Sequence, residues 1–187
     1  WGSRWTGGMG GLVQSVTLGW QVYSVARETM SIAQASFMLG MVGLVSFLPV
    51  FILTLPAGET AARYNRRTVL LFCLVAEIAT VAALFGASLL DVATVPMLLA
   101  VAALFGCARV FFAPASTAMG PMLVPRALLP SAIAWNSLAW QTSAIIGPAL
   151  AGVLVASSPT LAYGVALGLY ATSAALVLLI RKNTRPE

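Results

Sequence analysis

From Ala127 to Ile180 the chain carries no charged residue. A membrane-crossing helix needs about 20 mainly apolar residues, so this run is far too long for one crossing. It is divided by "SSPT" at Ser157 to Thr160, whose Ser and Pro favour a turn. The same ruler applied between the other charges gives a crossing between Arg4 and Arg27 and another between Glu28 and Glu59. A third runs from Arg67 to Asp91 with Glu77 inside it, and a fourth from Val92 to about Met122 with Arg109 inside it. The spacing therefore predicts six spans, near residues 3–24, 33–57, 68–90, 94–118, 132–156 and 160–180. Barrel strands would be short and strictly alternating, which these runs are not. Helices remain as the way to satisfy the backbone in lipid, and the fold class expected is an all-α membrane protein with six transmembrane helices.

Composition narrows the function. Only 8% of the residues are charged, against about a quarter in soluble domains, and mean hydropathy is +0.95. The net charge of +5 comes from basic residues spread mostly singly among apolar runs, which makes no phosphate-binding face, so nucleic acid is not an expected partner. Histidine is absent, which excludes Ser-His and Cys-His catalysis and the usual zinc constellations. Cys73 and Cys107 stand far apart in separate apolar runs and read as buried free thiols. There is no Gly-rich phosphate loop and no reactive Ser or Cys with a neighbouring base. No enzyme, cofactor or metal site is expected. The first residue is Trp and no basic segment precedes the first apolar run, so no cleavable signal peptide is expected and the chain is expected to be a fragment or a trimmed product.

Orientation follows from the loops. Arg63, Arg66 and Arg67 lie in the second-to-third loop, Arg126 in the fourth-to-fifth, and Arg181, Lys182 and Arg185 in the tail, against Arg27 on the other side. The positive-inside rule makes the basic side cytoplasmic, and with it both chain ends. The stretch "PAGETAARYNRRTVL" (56–70) is thus a topology anchor whatever else it does.

Its spacing carries more. Gly58 is followed five residues later by Arg63 and then by the pair Arg66-Arg67. This resembles the signature loop of the major facilitator superfamily, Gly-x-x-x-Asp-Arg-x-x-Arg-Arg, found between that family's second and third helices. "SAIIGPALAG" in the fifth span resembles the Gly-Pro-x-x-Gly-Gly motif of the superfamily's proton-coupled exporters, with Gly147, Pro148 and Gly152 matching and Ala151 in place of the first closing Gly. Arg109, followed by the small Ala113, resembles the family's intramembrane arginine motif. "SVTLGWQVY" and "FFAPASTAMGPMLVP" look most like the branch holding the enterobactin exporter and related bacterial efflux proteins. At the position of the family's loop aspartate stands Ala62, and Glu59, three residues earlier and on the same face of a helix, is a candidate substitute.

The resemblance covers essentially the whole chain and implies the amino-terminal six-helix half of a transporter built from two such halves. It also implies a gate loop of Gly58, Arg63, Arg66 and Arg67, and a helix-five hinge or proton-leak seal at Gly147, Pro148 and Gly152, where a packing kink is the alternative. Among residues that could form a substrate or proton path, Gln14, Thr17 and Gln21 share one helical stripe. They line a cavity or hydrogen-bond a neighbouring helix. Gly7, Gly8, Gly10 and Gly11 on the same helix allow close packing. Arg109 is too deep for a loop charge and is expected to be paired or hydrated, and Glu77 near mid-depth must be neutralised or partnered, as a proton carrier or a structural pair. Asn136 and Trp140 share a face of the fifth helix with Gln141 beside them, and Met38, Met41 and Phe47 offer an adaptable apolar wall.

The sequence thus reads as a secondary active transporter in a bacterial inner membrane, exporting small amphipathic compounds or siderophores in exchange for protons. Its expected partners are the lipid bilayer, the small-molecule substrate, protons and a second six-helix half. The alternatives are a self-contained six-helix protein that dimerises into a pore or carrier, and a nontransporting membrane scaffold.

Overall fold

The computed structural model describes residues 2–179; within that range the side chains at 61, 62, 66, 118–123 and 126 fall outside the described set. Among the described residues the chain is all-helical: α1 Gly2–Thr29, α2 Ile32–Arg63, α3 Arg66–Leu89, α4 Val95–Leu123, α5 Leu129–Ser157 and α6 Pro159–Leu178, with a 3-10 turn at Arg126–Leu128 before α5. Five of these, α2 to α6, contain stretches long and apolar enough to cross a membrane. The protein is an all-α, multi-pass membrane protein. α1 falls short of that apolarity, and its place explains why: it packs against every other helix, most extensively against α5 and α6. A helix so enclosed faces mainly protein, so its polar and glycine positions need not be lipid-compatible.

Local chemistry sets the ends. Ser31 begins α2 with a reciprocal capping box: its Oγ accepts from Gln34 N–H at 3.3 Å and its own N–H donates to Gln34 Oε1 at 3.1 Å. Asn65 begins α3, its Oδ1 accepting from Arg67 N–H at 3.0 Å. Proline falls in the first turn of α4, α5 and α6, where its missing N–H costs nothing. α3 is followed by Asp91 at φ 55°, a left-handed conformation that a short acidic side chain tolerates.

α2 runs straight through the segment expected to open the basic loop at Gly58, leaving only Tyr64 and Asn65 between α2 and α3. An interior Gly costs a helix only about 1 kcal/mol. Against that cost, Glu59 and Arg63 pair across one turn at 2.7 Å, and Thr60 Oγ1 donates to Pro56 O at 2.7 Å. α2 also contains Pro49 and Pro56, each of which removes a backbone donor.

The neighbours in space are not the neighbours in sequence. α2 packs on α4, α4 on α3, α3 on α6, and α6 and α5 on α1, which closes the ring against α2. The α2–α4 crossing is made close by Gly106, where an added β-carbon would run into Ser46 O and sit 3.1 Å from Ser46 Cα. Ser46 Oγ donates across the same crossing to Ala102 O at 3.4 Å. The core follows α1 outward, with Val13, Leu18 and Val22 meeting Leu74, Leu84 and Tyr163. α2 and α5 keep wide exposed faces, carrying Phe47, Phe51, Trp135, Trp140 and Ile145 among other residues.

Candidate functional site

The polar stripe of α1 points into the bundle. Gln14 and Thr17 are fully buried and Gln21 nearly so. Gln14 Nε2 donates to Thr80 Oγ1 of α3 at 3.1 Å, and Thr80 Oγ1 donates in turn to the backbone carbonyl of Glu77 at 2.8 Å. Thr17 Oγ1 donates back to Val13 O at 2.7 Å. Gln21 Oε1 accepts from the buried Tyr163 hydroxyl of α6 at 2.7 Å. Two rungs of the stripe therefore tie α1 to α3 and α6, where an unmade polar contact in an apolar interior would be costly.

One turn below Gln14, Gly11 opens a notch. A β-carbon there would collide with Arg109 Nη1, and it would lie 3.2 Å from Arg109 Cζ and 3.4 Å from the Tyr170 hydroxyl. The guanidinium of α4 thus occupies the space that α1 leaves by having no side chain. Arg109 also stands over the Phe105 ring, 5.6 Å from its centroid, within the range of a cation–π contact. Tyr170 is fully buried, and both Arg109 and Glu77 act on it electrostatically.

Glu77 belongs to the same group but bonds to none of it. Its side chain is buried, and neither carboxylate oxygen has a hydrogen-bond partner among the described residues. Arg109 is the charge acting on it. No Glu77–Arg109 contact within 4.0 Å joins the two among the described residues, where the ion pair present is Glu59–Arg63. The result is a mid-bundle cluster of one cation, one carboxylate, a tyrosine hydroxyl and an amide, drawn from α1, α3, α4 and α6.

The α5 candidates stand apart from this cluster. Asn136 is half-buried, while Gln141 and Trp140 are exposed. The contact between α1 and α5 is made instead by Trp5 Nε1, which donates to Thr142 Oγ1 at 3.1 Å, and by Ser143 Oγ, which donates to Trp5 O at 3.3 Å. Gly147 lies in that interface too, where an added β-carbon would meet Leu12 Cβ at 2.8 Å. Pro148 is exposed, and a β-carbon on Gly152 would find nothing within 4 Å. Met38 and Met41 are half-buried and Phe47 is exposed along α2. Cys73 is a buried free thiol and Cys107 a half-buried one. Among the described residues no cluster of metal-ligating side chains occurs.

In the basic segment, Gly58 is exposed and its added β-carbon would have no neighbour within 4 Å. Arg63 is spent on Glu59 within one exposed turn. Arg67 reaches across the bundle, its Nη2 donating to Leu178 O at 2.9 Å and so capping the end of α6. The side chains of Ala62, Arg66 and Arg126 lie outside the described residues, as do Arg181, Lys182 and Arg185.

Tyr163, Tyr170 and Thr80 escaped the sequence reading. A tyrosine on an apolar helix shows no periodic signal of its own; only the polar atom that it meets on another helix marks it. Spacing of Tyr163 and Tyr170 at seven residues, on one face of α6, was the available clue.

No curated protein matches the chain. A family model described as transmembrane secretion effector matches residues 1–187, the whole sequence. Membrane-length helices around an interior arginine and carboxylate fit such a transporter, and the chain belongs to this transmembrane secretion effector family of the major facilitator type.

Proposed function

We propose that this chain is the amino-terminal half of a proton-coupled exporter of small amphipathic compounds or siderophores, close to the enterobactin-exporter branch. It would lie in a bacterial inner membrane with both ends cytoplasmic. α1 supplies the sixth crossing, since its 28 residues extend about 42 Å at 1.5 Å per residue, enough to traverse the bilayer. Transport proceeds by rocking this bundle against a second one, with the substrate taken at mid-membrane between them.

The observation that supports this reading is a set of exposed polar groups on two helices packed together. Ser15 is exposed midway along α1, and Ser137 and Gln141 are exposed on α5. In lipid such groups have no partner, so they belong against protein or a water-filled cavity. Trp140 and Ile145 on the same helix give the apolar contact that an amphipathic compound needs. The basic segment acts as an anchor; Arg67, bonded to Leu178 O, latches α3 to α6, and Arg63, paired with Glu59 in this structure, serves as a gate residue.

The test is efflux of a fluorescent amphipathic dye from vesicles holding the full-length parent, driven by an imposed pH gradient. Wild type is compared with Gln141→Leu, Arg109→Ala and Arg63→Ala at matched membrane abundance. Loss of efflux in Gln141→Leu and Arg109→Ala with insertion intact is the expected result. Unchanged efflux in both would remove the site and leave the fold; unchanged efflux in Arg63→Ala would reduce the basic segment to a topology anchor.

A further inference from the structure

Three consecutive residues at the start of α1 reach three different helices. Ser3 goes to α6, where its Oγ lies 3.0 Å from Ser173 Oγ and its carbonyl accepts from that hydroxyl at 2.8 Å. Trp5 goes to α5, donating to Thr142 Oγ1 at 3.1 Å and accepting from Ser143 Oγ at 3.3 Å. Arg4, between them, goes to α4, where its Nη1 meets Thr117 Oγ1 at 3.5 Å. With α1 tied on both sides, the direction of Arg4 is set by the bundle rather than by its own contact.

That contact satisfies little of the side chain. A guanidinium carries five N–H donors. Among the described residues Arg4 makes one hydrogen bond, at the long limit of such bonds, to a neutral hydroxyl that gives its own proton to Ala113 O at 3.0 Å. No acid pairs with it there: Glu59 is taken by Arg63, and Glu28 and Asp91 lie at the other end of the bundle. An arginine serving only as a topology anchor belongs at the membrane surface. Arg4 is instead recessed, since α4 continues six residues past Thr117 to Leu123, about 9 Å at 1.5 Å per residue. It is half-buried, while Thr117 and Ala113 beside it on α4 are exposed. On the same face of α1, seven residues further along, Gly11 receives the Arg109 guanidinium, which puts a second positive charge about 10 Å deeper in the α1–α4 seam. Low-dielectric walls around charges of one sign concentrate their field on an approaching ion of the other sign.

We infer that Arg4 is an anion-binding residue at the cytoplasmic side of this seam, and that the exported amphipathic compound is an organic anion whose carboxylate or sulfonate it receives. The inference rests on the export reading above and adds the charge of the substrate and the residue that selects it. A carboxylate takes two parallel N–H bonds from a guanidinium, and these charge-assisted bonds are stronger than the single contact to Thr117 that they replace. Thr117 loses nothing by the exchange, because its own proton stays with Ala113 O. An anionic lipid headgroup offers the same charge, but it would have to bring two acyl chains with it to a guanidinium recessed between α1 and α4. A small anion needs room for its charged group alone.

The test is equilibrium binding, followed by fluorescence anisotropy, to the full-length parent in phosphatidylcholine nanodiscs with no gradient imposed. Two dyes built on the same xanthene ring are compared in mildly alkaline buffer, carboxyfluorescein as the anion and tetramethylrhodamine methyl ester as the cation. Wild type should prefer carboxyfluorescein, and Arg4→Gln should weaken its binding about tenfold or more, the scale of one charged hydrogen-bonded contact. Arg4→Lys, which keeps the charge without the paired donors, should fall between the two. Arg4→Glu should reverse the preference toward the cationic dye. Equal or tighter binding of the cationic dye to wild type, or no binding of the anionic one, overturns the inference, and neither result needs a variant that must fold. Equal loss of both dyes in Arg4→Gln also overturns it, since that is what a merely structural arginine would give. If native mass spectrometry shows that Arg4→Gln sheds bound phosphatidylglycerol while dye binding is unchanged, the arginine serves a headgroup and the inference again fails. Anionic-dye binding without gradient-driven efflux would leave the anion site standing and remove the export reading, whereas efflux of the cationic dye alone would do the reverse.

Discussion

Replacing Gly106 by Ala tests the close approach of α2 and α4 at their crossing. The added methyl would stand 3.1 Å from both Cα and C of Ser46 and closer still to its carbonyl oxygen. Carbon atoms prefer about 3.5 to 4.0 Å, and the atoms met are backbone, so no rotamer change can relieve the clash. The helices must part by several tenths of an ångström, which stretches the Ser46 Oγ–Ala102 O bond beyond its present 3.4 Å. Overpacking costs about 1 to 3 kcal/mol, and an interhelical hydrogen bond in a membrane about 0.6 kcal/mol. Ala returns up to about 1 kcal/mol of helix propensity. The expected outcome is a net loss of about 0.6 to 2.6 kcal/mol. Gly43→Ala on α2 is the control, since its β-carbon would find nothing within 4 Å; it should be neutral or gain up to about 1 kcal/mol. Reversible unfolding in mixed micelles with increasing dodecyl sulfate measures both. If Gly106→Ala matches or exceeds wild type, or if the two variants move together, the close crossing is wrong.

Three further results are expected. Tyr163→Phe leaves Gln21 Oε1 buried without its donor, and the same unfolding titration should show a loss between about 0.6 kcal/mol, the average for an interhelical bond in a membrane, and about 1.7 kcal/mol, the largest. Glu59→Gln breaks an exposed pair whose members are 59% and 73% accessible; its effect on stability should stay within about 0.5 kcal/mol and fade further in high salt. A membrane-permeant maleimide should label Cys107 well before Cys73, which is 3% exposed, with mass spectrometry of the native protein following both thiols over time; equal rates would contradict the packing of α3.

The contrast between Gly11 and Gly106 bears on how the two sites differ. At Gly106 the obstacle is a helix backbone, so a side chain is a matter of stability. At Gly11 the obstacle is the far end of a long side chain, which can swing aside. A variant there would displace Arg109 more than it would weaken the bundle.

Much of the architecture was already written in the order of the residues. The gaps between charges marked the membrane-length runs, and the turn expected at Ser157–Thr160 falls where α5 ends and α6 begins. These signals are local: apolar length, a capping side chain and a proline's missing donor act within a few residues, so a linear reading reaches them. The motif spacing in 58–67 and 147–152 likewise pointed to the family that the whole-chain match gives. Tertiary structure decided what local pattern could not. The stripe of Gln14, Thr17 and Gln21 fits a cavity or a helix interface equally well until Thr80 and Tyr163 are found opposite it. Glu77 and Arg109 are 32 residues apart on different helices, and only packing gives one guanidinium to the Gly11 notch while leaving the carboxylate unbonded. Periodicity names the face of a helix, but which helix covers that face depends on distances between segments remote in sequence, and those are set when the bundle closes.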